Sequence, residues 1–373
     1  MSDLLPTYDA WLSDDGPAAL VIREHLMPVE GRDGVLFPAT FAAGDKFAGG
    51  YNIDGPPEGE NVCLIDSVGS QANRVEPIFA NPKYAALVPQ VVVTAGDGEN
   101  RKEYRLLEAG HRAGDALVRC SALQQELQAA FKELLKGNAE SLAKAAPTSL
   151  VFGVWDSRDT QAKLPRLVTS AIRAFNVRKL TRSAQFVPAA NYVEEGLLDE
   201  PADKGAKDRY AERGFIHVPA SASHGGVIAS GGVRRDATLS LAALRPLTAG
   251  KDQGKTQALQ RYILGLALTA FTHPSAFIGY LRQGCNLVLD PEKPREFVKV
   301  YPDGRREPAD VSHGSAMEFA QAAAKAFGVG QDRTVPFDKE RAKQDVAGDG
   351  EKKKRRGRRT AGEAQTANEV PAS

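Results

Sequence analysis

Residues 63 to 77 read CLIDSVGSQANRVEP. Ile65, Val68, Ala72 and Val75 recur at helical spacing, which predicts a helix over this stretch. Between them stand Asp66, Ser67, Ser70, Gln71, Asn73 and Arg74, a dense supply of hydrogen-bond donors and acceptors. Upstream, AALVIREHLMPV (18–29) reads as a strand and residues 31–60 as a Gly/Pro-rich loop, so the chain opens as strand, loop, helix.

Downstream, QVVVTAG (90–96) and KEYRLLEAGH (102–111) read as strands around the turn GDGEN. A helix is expected over 113–135, with Leu117, Leu123, Leu127, Phe131 and Leu134 on its apolar side. TSLVFGVWDS (148–157) reads as a buried strand, SAIRAFNVRKLTRSAQFV (170–187) as strand, and residues 194–214 as a charged, irregular loop. A glycine-rich segment precedes the strand DATLSLAAL (236–244), a core helix over 256–271, a last strand NLVLD (286–290) and an amphipathic helix over 316–328. Helices do not alternate regularly with strands, which points to an α+β fold with an antiparallel sheet. Beyond Phe337, in residues 338–373, the chain carries too little apolar surface to fold and is expected to be a disordered basic tail.

The 373 residues, 42% hydrophobic, suffice for a large core, and the formal net charge is only +1. The charge is unevenly spread: residues 1–62 hold eleven Asp/Glu against three Lys/Arg, whereas Thr160 to Tyr192 hold six basic residues and no acidic one. A polyanion would therefore meet local patches. Cys63, Cys120 and Cys285 lack CxxC spacing, so neither a disulfide framework nor a thiolate metal site is expected. The start MSDLLPTYDAWLSDDG has no signal-peptide pattern, and Pro274 interrupts the most apolar run. A cytoplasmic protein without a membrane span is expected.

Catalytic patterns are thin. AGKDQGKT (249–256) matches a relaxed phosphate loop, with Asp290 as a candidate metal ligand, but Ala249 stands where a glycine is wanted. A polar turn opening a helix is the plainer reading. The six histidines never pair at ligand spacing and there is no GxSxG elbow, so no catalytic residue, metal site or cofactor is assigned.

Binding patterns are richer. HGGVIASGGVRRDATL (224–239) puts Gly225, Gly226, Gly231 and Gly232 before Arg234 and Arg235, a combination of close-approaching backbone and bidentate cations suited to phosphates. Arg173, Arg178, Lys179 and Arg182, interleaved with Phe175 and Phe186, suit phosphate neutralisation with base stacking. A flexible hairpin with exposed arginines, and a basic strand with core phenylalanines, are the plainer alternatives. Gln71, Asn73 and Arg74 add groups suited to sugar and phosphate contacts.

Taken in order, CLIDSVGSQANRVEP, SLVFGVWDS, IRAFNVRKLTRSAQFVPAANY, GGVIASGGVRRDATLSLAALRPL and LQRYILGLALTAF with FIGYLRQGCNLVLD resemble the guide-RNA-binding backbone subunit of type I-G (formerly I-U) CRISPR surveillance complexes, a RAMP-superfamily family. The resemblance covers about residues 15–335. It implies an RRM-like (ferredoxin-like) palm over residues 1–337, with a helical insertion at about 100–147 and a thumb-like loop at about 183–222. It implies a non-catalytic subunit that stacks head to tail with further copies along one CRISPR guide RNA and supports pairing with a target DNA strand. Other effector subunits and a recruited helicase-nuclease are the implied partners. Gln71, Asn73 and Arg74 would then face the RNA, Arg173, Arg178, Lys179 and Arg182 would line the groove, and the loop from Gly225 to Arg235 would approach the backbone. The alternatives are a RAMP-type endoribonuclease using Asp66 or His224, and a P-loop NTPase using Lys255.

Overall fold

The computed structural model describes residues 2–57, 59–96 and 98–347. Its central strand β1 (Ala19–Pro28) alternates half-buried and buried positions along its whole length, as a strand with one covered and one open face does. Leu20, Ile22 and Leu26 lie on the covered side, with Arg23 and His25 on the open one.

In chain order β1 is followed by β2 (Val62–Asp66), α1 (Val68–Val75), the hairpin β3 (Val91–Ala95) and β4 (Lys102–Arg105), α2 (Gln124–Leu135) and a buried helical turn α3 (Thr148–Phe152). Next come β5 (Val168–Phe175), β6 (Val177–Phe186), α4 (Lys204–Glu212), β7 (Val218–Ala229), β8 (Val233–Ser240) and α5 (Gln253–Phe271). The last elements are β9 (Gly279–Arg282), β10 (Cys285–Leu289), β11 (Glu296–Val300), β12 (Arg306–Pro308), α6 (His313–Phe327) and β13 (Arg333–Pro336).

The main sheet runs β9-β10-β1-β8-β5-β2, with Ile53–Asp54 at the β2 edge and β11 and β12 beside the first half of β1. All its pairings are antiparallel. Helix α1 packs on β5 and α5 on β8, and α6 lies against α5. This α+β arrangement is consistent with an RRM-like palm. The larger core joins Leu20 and Ile22 of β1 to Tyr262, Leu266 and Phe271 of α5 and Phe319 of α6. A smaller core at the other end of the strands joins Leu26, Cys63, Ile172 and Leu287 to Leu36 and Val227.

Several elements depart from the sequence reading. Residues 62–66 are strand, and the helix starts only at Val68, where Ser67 caps it by accepting from the Ser70 amide. The run 148–157 is a helical turn followed by a two-residue strand, not one strand, and Gly153 (φ 79) makes the break. The helix expected over 113–135 is interrupted around Cys120–Leu123. The charged segment 194–214 contains α4, capped by Asp203. Strands β11, β12 and β13 follow the one taken as last, and β13 pairs in parallel with β3. Residues 339–347, expected to be disordered, are helical, and Asp345 pairs with Arg119 at 3.1 Å. The tail KKKRRGRR (352–359) lies outside the described residues. All three cysteines are free and buried, and burial pushes the Cys63 thiol up to about 12 and Cys285 to about 11.

Candidate nucleic-acid interface

Helices cover one face of the sheet, which leaves the other for function. On that open face the register sets His25 of β1 opposite Arg234 of β8, and Arg234 opposite Arg173 of β5. Two arginines placed directly across from one another on one face repel, so the Arg234–Arg173 pair costs stability unless an anion meets it. Asp236 offsets it only in part: its carboxylate lies 3.0 Å from Arg234 and 3.4 Å from Arg23. The Arg234 guanidinium also rests over the Phe175 ring at 4.8 Å. Burial lowers the pKa of His25, and the charges of Lys293, Arg234 and Arg23 lower it further against Asp290.

From the end of β5 the chain turns at Asn176 (φ 50) into β6, which pairs with β7 as a separate two-stranded arm. Arg178, Lys179 and Arg182 are exposed along it. Among the described residues no carboxylate lies in ion-pair distance of these three or of Arg173, whereas Arg32, Arg112, Arg235, Arg261, Arg282, Arg295 and Arg306 are each paired with one. Arg182 sits 5.9 Å from the Phe37 ring centre.

The base of the arm is fixed by groups with no motif-like signal. Buried Asn61 accepts from the Val177 amide at 2.7 Å and donates to the Val177 carbonyl at 3.0 Å. Leu36 bridges to Val227, and the Gly226 amide donates to the Tyr51 hydroxyl at 3.0 Å. Gly226 has φ +96, and a Cβ there would stand 2.5 Å from Val35 and 2.8 Å from the Leu36 carbonyl. Likewise a Cβ on Gly225 would meet Thr181, and one on Gly231 would meet the Phe175 carbonyl. These three glycines thus admit the protein's own backbone, contrary to the expectation that they make room for a ligand. Gly232 (φ +82) faces a more open space, with the Lys293 ammonium nearest at 3.7 Å. Beyond the arm, Phe215 packs edge-on against Tyr192 and Tyr210, which gives residues 192–215 a small aromatic centre of their own.

Gln71 and Arg74 of α1 turn toward the interior, and this corrects the expectation for these two, whereas Asn73 stays exposed. Asp66, almost fully buried, accepts from Ser70 at 2.7 Å, Gln71 at 2.6 Å and Arg282 at 3.0 Å, with Arg74 at 3.5 Å. Gln71 also donates to the Phe277 carbonyl and accepts from Ser170, while Arg74 donates to the Leu281 carbonyl. Asn73 accepts from Arg112 at 3.2 Å. Arg235 joins the same interior chain, 2.6 Å from buried Glu24 and 3.4 Å from the Ser170 hydroxyl. It too lies beneath the sheet's covered side, whereas its neighbour Arg234 stands on the open face. The period of two along β8 decides this difference.

The residues weighed for catalysis are otherwise engaged. Asp252 caps α5, Lys255 pairs with Glu140 at 3.5 Å, and the Thr256 hydroxyl accepts from the Ala249 amide. Asp290 is held by Arg32 at 2.6 Å. His224 packs against the Tyr51 ring at 4.9 Å, and Asp156 closes a turn by accepting from Thr160. Among the described residues no cluster of three His, Cys, Asp or Glu side chains could hold a metal. None of the described helices is long and apolar enough to cross a membrane.

Residues 20–179 match a family model described as CRISPR-associated protein GSU0053. The matched stretch runs from β1 through the first residues of the arm, and so contains Arg173, Arg178 and Lys179. No curated protein matches the chain.

Proposed function

We propose, taking the family match to mark a CRISPR-associated protein that works with other components of a CRISPR system, that this chain is a non-catalytic RNA-binding backbone subunit of the RAMP type, from a type I-G complex. In this reading several copies stack head to tail along one guide RNA, hold it for pairing with a target DNA strand, and leave cutting to a recruited helicase-nuclease. The observation that carries it is the run of carboxylate-free cations, Arg173, Arg178, Lys179 and Arg182, passing from the open face onto the arm. Such a surface grips phosphates without reading bases, as a guide of any sequence requires. Arg234, Phe175 and Gly232 extend it, whereas Gln71, Arg74, Arg235, Gly225, Gly226 and Gly231 position it from within.

Fluorescence anisotropy of labelled single-stranded RNA against salt tests the surface. If the four cations each neutralise one phosphate, log K falls with log salt at a slope of about −3, and Arg178→Ala/Arg182→Ala roughly halves that slope. RNA binding that is unchanged in affinity and slope in the double variant would refute the assignment.

A further inference from the structure

At the opposite end of β5 from the arm, a cavity of about 490 Å3 opens between segments 110–119 and 153–166. Arg112, Arg119, Arg158, Lys163 and Arg166 line it, and none of its lining residues is acidic. Two of these charges are spent internally, since Arg112 lies 2.6 Å from buried Glu76 and Arg119 lies 3.1 Å from Asp345. Lys163 and Arg166 are exposed and have no carboxylate partner among the described residues. Burial lowers the Arg112 pKa and the Arg166 charge adds to that lowering, while Glu76 opposes it. A concave wall of one sign concentrates its field on whatever anion enters.

The same cavity holds an exposed aromatic platform. Trp155 is 57% exposed, although an indole of that size ordinarily finds cover. Its backbone is fixed by pairing with Lys163, whose ammonium stands 5.4 Å from the indole centre. Gly114 packs so closely beneath it that a Cβ there would come within 2.9 Å of the Trp155 carbonyl. An exposed indole on a fixed backbone, beside cations without a carboxylate partner, offers a stacking face for a base and charge for its phosphate. The volume is also within the range of small-ligand pockets, roughly 300–1,000 Å3.

We propose that this cavity binds a nucleoside phosphate, with the base against Trp155 and the phosphate between Lys163 and Arg166. It shares no residue with the surface assigned to the guide, and it stands whether or not that assignment holds.

The test reads Trp155 emission in the full chain carrying Arg178→Ala/Arg182→Ala, so that the arm does not compete. The protein is titrated with AMP, ATP and a tetrauridylate, with Trp155→Phe separating the signal from Trp11. Saturable quenching is expected, weakened about tenfold or more by Lys163→Gln/Arg166→Gln. Quenching by the mononucleotides identifies a free nucleotide as sufficient, and quenching by the tetrauridylate alone identifies a residue within a strand; both support the proposal. Emission unchanged by all three ligands at millimolar concentration would overturn it. So would equal quenching in the Lys163→Gln/Arg166→Gln protein. Both substituted side chains are exposed, so unchanged thermal midpoints are expected alongside.

Discussion

Asp66 is the residue on which the interior of this palm turns. It accepts from three side chains and stands between Arg74 and Arg282, which tie α1 to β9. Removing one member of such a buried ionic cluster leaves the other charges without compensation, so Asp66→Ala should lower the unfolding free energy by about 3–5 kcal/mol. Urea melts check this, with the exposed Arg178→Ala expected to stay within about 0.5 kcal/mol of wild type. Gly226→Ala should also destabilise, by about 1 kcal/mol or more, because its φ of +96 and the nearby Leu36 carbonyl both oppose a side chain. At this scale the sequence revealed which residues were polar and helical, but not which way they faced. A short helix with apolar residues on one side and hydrogen-bonding groups on the other reads the same whether its polar side meets water, RNA or Asp66. The one direction that could have been read was in β1 and β8, where strict alternation separates His25 from Glu24 and Arg234 from Arg235.

The ends of α5 and α6 meet at a histidine pair with its own pH consequence. His273 and His313 lie 5.2 Å apart, His313 bonded to the Tyr84 hydroxyl and His273 accepting from the Ser275 and Ala276 amides. Burial lowers both pKa values below the ordinary 6.5, with further lowering of His273 by His313 and Lys83, and of His313 by Lys83. The unfolded chain then binds more protons just below pH 6.5, so this contribution to stability is complete above about 6.5. It falls as the pH drops and levels off beneath the lowered folded values. Thermal midpoints measured from pH 7.5 to 5 should decline less steeply in His273→Asn/His313→Gln than in wild type; equal slopes would contradict the assignment. Element types were legible where periodicity was long, as in α5 and β1. They were not where a short apolar run was buried on every side, because Thr148–Phe152 is equally apolar as helix or strand. Strand β13 was hidden for another reason: it is a four-residue strand whose partner, β3, lies more than two hundred residues earlier.

Across the whole molecule, charge is arranged by place and not by amount. In a chain with a net charge of +1, many of the described arginines are paired with carboxylates, while cations without a carboxylate partner lie on the open face, along the arm and in one cavity. That distribution was partly visible as the basic run from Lys163 to Arg182. The run conceals two surfaces, since Lys163 and Arg166 lie before β5 and the others lie on β5 or beyond it. The central claim is that the arm and open face hold a guide RNA. The most direct measurement is to co-express the chain with a CRISPR array and its partner subunits, and to determine the absorbance ratio and length of the nucleic acid that co-purifies. Wild type should carry RNA of one discrete guide length in a large complex, and Arg178→Ala/Arg182→Ala should lose it while keeping the same thermal midpoint. A wild-type protein that emerges free of nucleic acid from cells supplying all those components would contradict the account.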